Sequence, residues 1–212
     1  MTNLHFNRRE YGKRELREEH ISPDPFIQFE VWLTEALETD ILDPTAMVLA
    51  TVDENGTPDT RVVLLKQFDR NGFVFFTHYE SPKAIQAEKI GKVALNFYWS
   101  NLARQIRIKG KIERTSREES EIYFSSRSKE SQICAVASQQ SACIASRLAL
   151  EKQIEAISHQ YDESKVPCPA NWGGYRVLPT EFEFFQGRDN RLHDRIRYLK
   201  INQHWKIERL SP

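Results

Sequence analysis

The sequence predicts a mainly β, α+β protein in which an antiparallel sheet closes into a barrel and helices pack at its edges. Segments rich in β-branched and aromatic residues follow one another at hairpin-length spacing, and Asn71-Gly72 is a strong hairpin dipeptide. Residues 117–160 have a helical pattern. The chain therefore runs from a set of strands to a set of helices and then back to strands. About six strands of two-sided character favour closure of the sheet into a barrel.

The elements follow from hydrophobic periodicity. Phe26, Phe29, Leu33 and Leu37 have helical spacing and predict the first helix. A second helix is predicted from Ser81 to about Ile90. Strands are predicted at 46–53, 60–69, 73–79, 92–99, 104–114, 175–187 and 195–210.

The strand predicted at 104–114 shows the two-sided pattern most clearly. Its isoleucines alternate with polar residues, which predicts one face in the core and one in solvent. The predicted inward residues are Ile106, Ile108 and Ile112, and the predicted outward residues are Gln105, Arg107, Lys109 and Lys111.

Composition limits the classes of function. Lys+Arg and Asp+Glu both total 30 among 212 residues, so the basic excess of a general nucleic-acid binder is missing. No apolar run approaches the ~20 residues that span a bilayer. The cysteines are Cys134, Cys143 and Cys168, with no CxxC pair, which argues against disulfides or a zinc site. We therefore expect buried free thiols, a cytoplasmic location, and neither membrane nor nucleic acid as partner.

The first 22 residues are charged and poor in apolar side chains. Such a segment cannot bury enough surface to order itself, so residues 1–22 are predicted to be mobile. Ser22-Pro23-Asp24-Pro25 then interrupts the chain. The remaining residues, 23–212, are predicted to form a single domain.

Two short groupings of cations lie near predicted strand and helix ends. Arg61 and Lys66 flank a very apolar strand, and Ser81-Pro82 precedes Lys83 at a predicted helix start. A helix start beside a lysine can bind an anion. The alternatives are edge charges that reach water and an ordinary capped helix.

Two further groupings combine cations with other donors. Tyr123, Arg127 and Ser131 would share one face of a continuous helix at i, i+4 and i+8. Arg191, His193 and Arg195 would share one face if "QGRDNRLHDRIRYL" (186–199) is extended. The alternatives are a solvated helix face and an exposed edge strand.

Together these groupings predict a protein that holds phosphorylated small molecules with side chains, since such donors suit phosphate oxygens. No GxGxxG or GxxxxGK[ST] loop occurs, which excludes the two commonest phosphate loops. The histidines are dispersed and HExxH is absent, so no metal site is predicted.

The chain also resembles a known family, the pyridoxine/pyridoxamine 5′-phosphate oxidases, from about Arg8 to Pro212. Several segments in the same order carry this resemblance, which makes it more specific than any one motif. They are "RREY" (8–11), "DPTAMVLATVDE" (43–54), "RVVLLK" (61–66), "RQIRIKGK" (104–111), "SQQS" (138–141), "WGGYRV" (172–177), "RLHDR" (191–195) and "WKIERL" (205–210).

The resemblance implies an FMN-binding split β-barrel of the antiparallel Greek-key type, and a homodimer with the flavin between subunits. The FMN contacts it implies are Arg61, Val62, Val63, Leu64, Leu65, Lys66, Phe76, Thr77, Lys83, Gln105, Gln140, Ser141, Phe185 and Arg195. The substrate contacts it implies are Lys66, Tyr123, Arg127 and Ser131 at the phosphate, Arg191, Leu192 and His193 at the ring, and Arg8, Arg9, Glu10 and Tyr11 in a segment that closes over the site.

The activity implied is the oxidation of pyridoxamine or pyridoxine 5′-phosphate to pyridoxal 5′-phosphate. Hydride would pass from C4′ to flavin N5, and O2 would be reduced to H2O2. Arg191 and His193 are the expected catalytic residues. Arg191 would orient the substrate and stabilise charge, and His193 would act mainly in binding rather than in proton transfer.

Two residues depart from the family pattern. Pro82 stands where the family usually has arginine, which puts one flavin phosphate contact in doubt, and Phe185 stands where tryptophan is usual. Three alternatives stay open. They are another split-barrel flavin or deazaflavin reductase, a non-catalytic flavin or haem carrier, and a β-barrel that binds nucleic acid.

Overall fold

One antiparallel sheet of nine strands organises residues 11–12 and 14–212, which this computed structural model describes. Five α-helices accompany the strands within these residues. The elements are α1 (Pro25–Leu37), β1 (Ala46–Val52), β2 (Pro58–Leu64), β3 (Gln67–Asp69), β4 (Gly72–His78), α2 (Pro82–Ile90), β5 (Lys92–Trp99), β6 (Arg104–Arg114), α3 (Arg117–Ser126), α4 (Lys129–Ala137), α5 (Arg147–Gln160), β7 (Trp172–Gln186), β8 (Asp194–Ile201) and β9 (His204–Leu210).

The long strand β7 is the centre of the sheet. One edge pairs with β6 from Tyr175 to Gln186. The other edge pairs first with β4, where Trp172 lies opposite His78, and then with β8 from Glu181 onward. On this edge of β7 the sheet therefore continues in two separate directions, through β4 to β3 and through β8 to β9. This curled antiparallel sheet with helices at its margins confirms the predicted fold class.

Helix α1 covers the concave face of the sheet and closes the main core. The helix begins at Pro25 because Asp24 accepts a hydrogen bond from the Phe26 N–H, and proline suits the first helical position. Phe29 is fully buried and packs edge-on against Phe73 and Phe97 from two strands. The alternating residues of β4, β5, β6 and β7 supply the rest of this core.

A smaller apolar cluster lies beneath α3, α4 and α5. Phe124, Ile133 and Trp172 are buried in it. Helix α3 begins with a capping box, in which Ser116 and Glu119 each accept the other's backbone N–H. This cluster fixes the helices against the start of β7, and it supports the cavity described below.

The structure corrects the strand predicted at 60–69. It is two strands, β2 and β3, because the regular strand is interrupted at Leu65 and Lys66. The Leu65 N–H donates to Thr45 O, which continues the β1–β2 register, whereas the Lys66 N–H donates to Val74 O of β4. The chain therefore changes its partner strand between these two residues. Leu65 turns into the core while Lys66 remains exposed.

The structure also corrects the extended conformation predicted for Arg191 and His193. Strand β8 begins only at Asp194, and residues 189–191 form a short 3₁₀ turn. Asn190 and Arg191 have φ angles of 56° and 60°, in the left-handed region. Arg191, His193 and Arg195 therefore do not alternate along one strand.

Two smaller predictions also need revision. Cys134 and Cys143 are exposed and Cys168 is half-buried, so the thiols are free, but the prediction that they are buried is wrong. Helix α3 ends before Arg127, so the segment 123–131 is not one continuous helix. Among the described residues, no helix is long and apolar enough to cross a membrane.

We predict that Phe29→Ala lowers the free energy of unfolding by about 3–5 kcal/mol, because it removes a fully buried ring and leaves a cavity. Ile27→Ala on the same helix is the control, since Ile27 is 42% exposed, and should change stability by less than about 1 kcal/mol. Urea unfolding followed by circular dichroism measures both. Equal effects of the two substitutions would contradict the packing described here.

Candidate functional site: a cation-lined cavity

A cavity of about 630 Å³ lies between the ends of β2 and β4, the start of α2, and helices α3 and α4. Eleven residues expected at the site from the sequence line it, and six further residues complete the wall. The expected residues are Val62, Val63, Leu64, Lys66, Phe76, Thr77, Lys83, Tyr123, Arg127, Ser131 and Gln140, and the others are His78, Ser128, Cys134, Ala135, Ser138 and Trp172.

Four cationic or ionisable nitrogen side chains face this cavity: Lys66, His78, Lys83 and Arg127. None of the lining residues, all within the described part of the chain, is Asp or Glu. Burial, with a smaller contribution from the nearby Arg61 guanidinium, lowers the pKa of Lys83 to about 8. Burial also lowers the pKa of His78, with smaller contributions from Lys83 and Arg127. Such an arrangement favours an anionic ligand.

Lys83 is held by a small hydrogen-bond network. Its ammonium donates to Gln140 Oε1 at 2.6 Å and to Thr77 Oγ1 at 3.3 Å. The Thr77 hydroxyl donates to Gln140 Oε1 at 2.9 Å. Ser81 sits at the N-cap position of α2, but its hydroxyl donates to His78 O and makes no cap. The network therefore holds the Lys83 ammonium beside Thr77 and Gln140 at the cavity wall. The Ser81 hydroxyl bonds the end of β4 to the start of α2.

An aromatic wall forms the other side of the cavity. Phe76 stacks on Tyr123 with ring centres 3.9 Å apart, and Trp172 lies parallel behind them. The Arg127 guanidinium lies over the Trp172 ring at 5.1 Å. Its Nη1 is buried and has no hydrogen-bond partner among the described residues. A buried N–H donor without a partner is costly, so this atom indicates a ligand acceptor nearby.

The break between α3 and α4 brings the third predicted grouping together. Arg127 has ψ 155°, which ends α3, and Ser128 then caps α4 through the Ser131 N–H. Tyr123, Arg127 and Ser131 all reach the cavity, although from two helices rather than one face. The three side chains therefore line one cavity, but they do not share one face of a continuous helix, which was the reason for grouping them.

Three predicted residues lie near the cavity without lining it. Arg61 donates from Nη1 to Thr51 Oγ1 at 2.6 Å and pairs with Asp59, so it acts on Lys83 through its charge. Leu65 is part of the core. Ser141 is exposed, with φ 69°, next to Gln140.

A second group of predicted residues lies at the far end of β7. Phe185 contacts His193 at 4.9 Å between ring centres. Arg195 pairs with Glu183 at 2.9 Å, and Gln105 donates to Asn96. Phe185 lies 13 positions beyond Trp172 along β7, at most roughly 43 Å of extended strand. Neither Phe185 nor Arg195 nor Gln105 lines the cavity. One chain thus presents two separate groups of site residues.

His193 and Arg191 belong to the turn that joins β7 to β8. The Arg188 N–H donates to His193 Nδ1 at 3.0 Å. Because a backbone N–H can only donate, Nδ1 accepts and the ring proton lies on Nε2. Arg191 and Leu192 are exposed to solvent.

The N-terminal segment reaches this turn. The Tyr11 ring meets His193 edge-on at 5.4 Å, and the Tyr11 N–H donates to Asp189. Leu16 is buried, and its N–H donates to Asp194. Arg8, Arg9 and Glu10, predicted to contact substrate, lie outside the described residues.

The sequence analysis missed several lining residues. Ser131, Cys134 and Ser138 recur at i, i+3 and i+7 on or beside α4, which is a helical periodicity that could have identified the last two. Nothing in the sequence distinguishes His78 from other strand residues. In the described part of the chain no cluster of three His, Cys, Asp or Glu side chains could hold a metal ion.

Comparison with known proteins places this geometry in a family. The sequence profile described as "Pyridoxamine 5′-phosphate oxidase" matches residues 33–161, and the one described as "Pyridoxine 5′-phosphate oxidase C-terminal dimerisation region" matches residues 172–212. Proteins named pyridoxine/pyridoxamine 5′-phosphate oxidase are similar over nearly the whole chain. That of Legionella pneumophila (strain Paris) is 48% identical over 97% of this chain and 95% of its own, and that of Burkholderia mallei (strain SAVP1) is 47% identical over 100% of both.

Solved structures agree with the fold. PhzG from Burkholderia lata 383, crystallised with tetrahydrophenazine-1-carboxylic acid, superposes with a TM-score of 0.87 at 28% identity, covering 92% of this chain and 95% of its own. An FMN-binding protein from Nostoc punctiforme, related to pyridoxamine 5′-phosphate oxidase, gives a TM-score of 0.73 at 19% identity, covering 91% and 100%. At that identity the likeness concerns the fold alone.

The fold and the cation-lined cavity define a protein of the split β-barrel class. Its two profile matches cover most of the chain, and its relatives are nearly half identical over their full length. The chain belongs to the pyridoxamine 5′-phosphate oxidase family.

We predict that sulfate, a dianion throughout the range, binds this cavity more weakly as pH rises from 7 to 9.5. The Lys83 ammonium loses its proton near pH 8, and only the charged form attracts the anion. Lys83→Met should weaken binding at pH 7 by about tenfold and remove most of the pH dependence. Isothermal titration at constant ionic strength measures both.

Lys89→Met is the control for this experiment. Lys89 lies on the same helix, is exposed, and pairs with Glu54. It should leave sulfate binding unchanged. A pH dependence that survives in Lys83→Met would show that another group governs anion binding.

Proposed function

We propose that this protein is an FMN-dependent oxidase that converts pyridoxamine and pyridoxine 5′-phosphates to pyridoxal 5′-phosphate, with O2 reduced to H2O2. The observation that supports this most directly is the convergence of Lys66, Tyr123, Arg127 and Ser131 on a cavity whose lining residues include no carboxylate. These side chains offer ammonium, phenol, guanidinium and hydroxyl donors, which suit a phosphate monoester.

The residues present also fit the phosphate of a flavin mononucleotide. Lys83, Thr77 and Gln140 form a second group of polar side chains beside the first. The buried, unpartnered Arg127 Nη1 and the lowered pKa of Lys83 both indicate that this cavity is stabilised by negative charge. Two donor groups accommodate two phosphates, one on the cofactor and one on the substrate. Pro82 removes a possible guanidinium contact, and Lys83 retains the adjacent one.

We infer that the complete site needs two copies of the chain. Gln105, Phe185 and Arg195 cannot reach the cavity of their own chain, since β7 separates them from it. The segment that carries Phe185 and Arg195 lies in the match to a dimerisation region. In a homodimer, this group from one subunit would complete the cavity of the other, with the flavin at the interface.

When bound, FMN would accept two electrons with a hydride from C4′ of the substrate and pass them to O2. The protein's part is to hold the reacting ring in place and to control charge around it. Lys66, Tyr123, Arg127 and Ser131 bind the substrate phosphate. Arg191 would hold and orient the reacting ring.

His193 would serve as a hydrogen-bond donor rather than as a base. Its Nδ1 already accepts from the Arg188 N–H, so Nε2–H faces the substrate side. Leu192 and Tyr11 flank this position. We propose that Arg8, Arg9, Glu10 and Tyr11 close over the site, and that residues 23–212 form one domain. A cytoplasmic location stays a prediction from the free cysteines.

A second candidate is an oxidase that acts on a reduced tricyclic acid. The structural similarity to PhzG, solved with tetrahydrophenazine-1-carboxylic acid, favours it. The higher identity to proteins named pyridoxine/pyridoxamine 5′-phosphate oxidase argues for the phosphorylated substrate. The donors around Arg127 also exceed what a single carboxylate needs.

The deciding experiment is an absorbance spectrum of the purified protein, with and without added FMN, followed by anaerobic addition of substrate. We expect a flavin band that bleaches with pyridoxamine 5′-phosphate and returns with air, together with pyridoxal 5′-phosphate. Bleaching only by tetrahydrophenazine-1-carboxylic acid would favour the second candidate. Bound flavin that neither compound reduces would indicate a carrier.

We predict that Arg191→Ala lowers kcat/KM for pyridoxamine 5′-phosphate by roughly 10²-fold, because the side chain that orients the reacting ring is lost. Flavin content should change little, since Arg191 does not line the cofactor cavity. Arg147→Ala, at an 88% exposed side chain on α5, is the control. Parallel loss of flavin and activity would reassign Arg191 to cofactor binding.

A further inference from the structure

The turn formed by residues 187–193 has a conformation that local sequence does not favour. Asn190 and Arg191 are consecutive non-glycine residues with positive φ, a backbone conformation that L residues adopt less readily than glycine. The facing residue, Ala103, also has a positive φ of 52°. A turn of this kind persists only if the surrounding structure holds it.

A buried glutamine holds the start of the turn. Gln186 is fully buried, and its amide nitrogen lies within hydrogen-bond distance of three carbonyl oxygens: Leu102 O at 3.1 Å, Gly187 O at 3.3 Å and Ala103 O at 3.4 Å. The Gly187 N–H returns a bond to Ala103 O at 2.7 Å. The turn is thereby joined to the loop between β5 and β6.

A buried arginine fixes the orientation of that glutamine. Arg104 is 7% exposed, and its Nε donates to Gln186 Oε1 at 2.9 Å. This bond determines which end of the amide faces the carbonyls, because only the nitrogen can donate to them. Arg104 is itself held by Glu35 at 2.8 Å and lies over the Trp32 ring at 4.3 Å, both on α1.

Close packing restricts the backbone position at the start of the turn. A methyl group on Gly187 would lie 3.0 Å from both Ala103 Cβ and Ala103 O, and 2.8 Å from the Tyr11 ring. Within the turn, Arg188 N–H bonds His193 Nδ1 and Leu192 N–H bonds Asp189 O. A shift at residue 187 would therefore be transmitted to Arg191 and His193.

We propose that Arg104 and Gln186 are positioning residues for the reaction: together they hold the 187–193 turn so that Arg191 and His193 face the substrate. Neither residue lines the cavity or needs to touch substrate. The proposal rests on the proposed function for its effect on rate. The positioning of the turn itself is a separate structural property.

Gln186→Glu tests the donor role, because glutamate can still accept from Arg104 but cannot donate to the three carbonyls. Gln186→Met removes both functions without adding charge, and Arg104→Lys keeps the charge but loses the planar donor. Gln28→Glu and Gln28→Met are matched controls. Gln28 is 5% exposed on α1 and accepts from the Ser22 N–H, away from the turn.

Two measurements apply to every variant: kcat and KM per bound flavin with pyridoxamine 5′-phosphate, and the imidazole ¹⁵N signals of His193, assigned by their loss in His193→Gln. We expect the Gln186 and Arg104 variants to lower kcat per flavin at least tenfold, with KM changed less than threefold. The His193 Nδ1 signal should shift in these variants and stay in place in the Gln28 controls.

Equal activity per flavin in the Gln186 and Gln28 variants, or an unmoved His193 signal in the Gln186 variants, would overturn the proposal. Loss of flavin or of thermal stability with unchanged activity per flavin would show a merely structural role, and would also overturn it. If the wild-type protein does not oxidise pyridoxamine 5′-phosphate, the proposed function fails. The His193 signal then still decides whether Gln186 positions the turn.

Discussion

The pairing of β7 with three neighbouring strands is the constraint on which the rest of the structure depends. Its first half lies against β4 and presents Trp172 to the cavity, while its second half lies against β8 and presents Phe185 beside His193. Backbone hydrogen bonds to β6 run along most of its length and hold both halves in register. The two groups of site residues are thus fixed rigidly, at opposite ends of one strand.

The cavity concentrates positive charge at the expense of stability. Burial of Lys83 beside Arg61 disfavours its charged form, and the buried Nη1 of Arg127 forgoes a hydrogen bond. The main core, with Phe29 and its aromatic neighbours on α1 and the strands, can support this cost. A phosphate-bearing ligand would relieve it, so ligand binding and stability are linked in this protein.

The candidate site was predictable where local sequence determines local geometry. Lys66 and Lys83 stand next to a strand end and a helix start, and both line the cavity as expected. The turn at residues 187–193 was not predictable, because its left-handed residues are held by Gln186 and Ala103, and Ala103 lies more than 80 residues away in sequence. The exposure of Cys134 was likewise decided by how α4 packs, not by the nature of its side chain.

Local sequence predicted most of the strands and helices and the chemical character of the site, because side-chain periodicity and turn residues act over a few neighbours. The resemblance of several segments, which occur in the family's order along the chain, indicated the family. The tertiary fold brings Tyr123, Arg127 and Ser131 together across a helix break, and it places Phe185 and His193 outside their cavity. These placements depend on strand pairing and packing between residues distant in the chain, which local periodicity cannot encode.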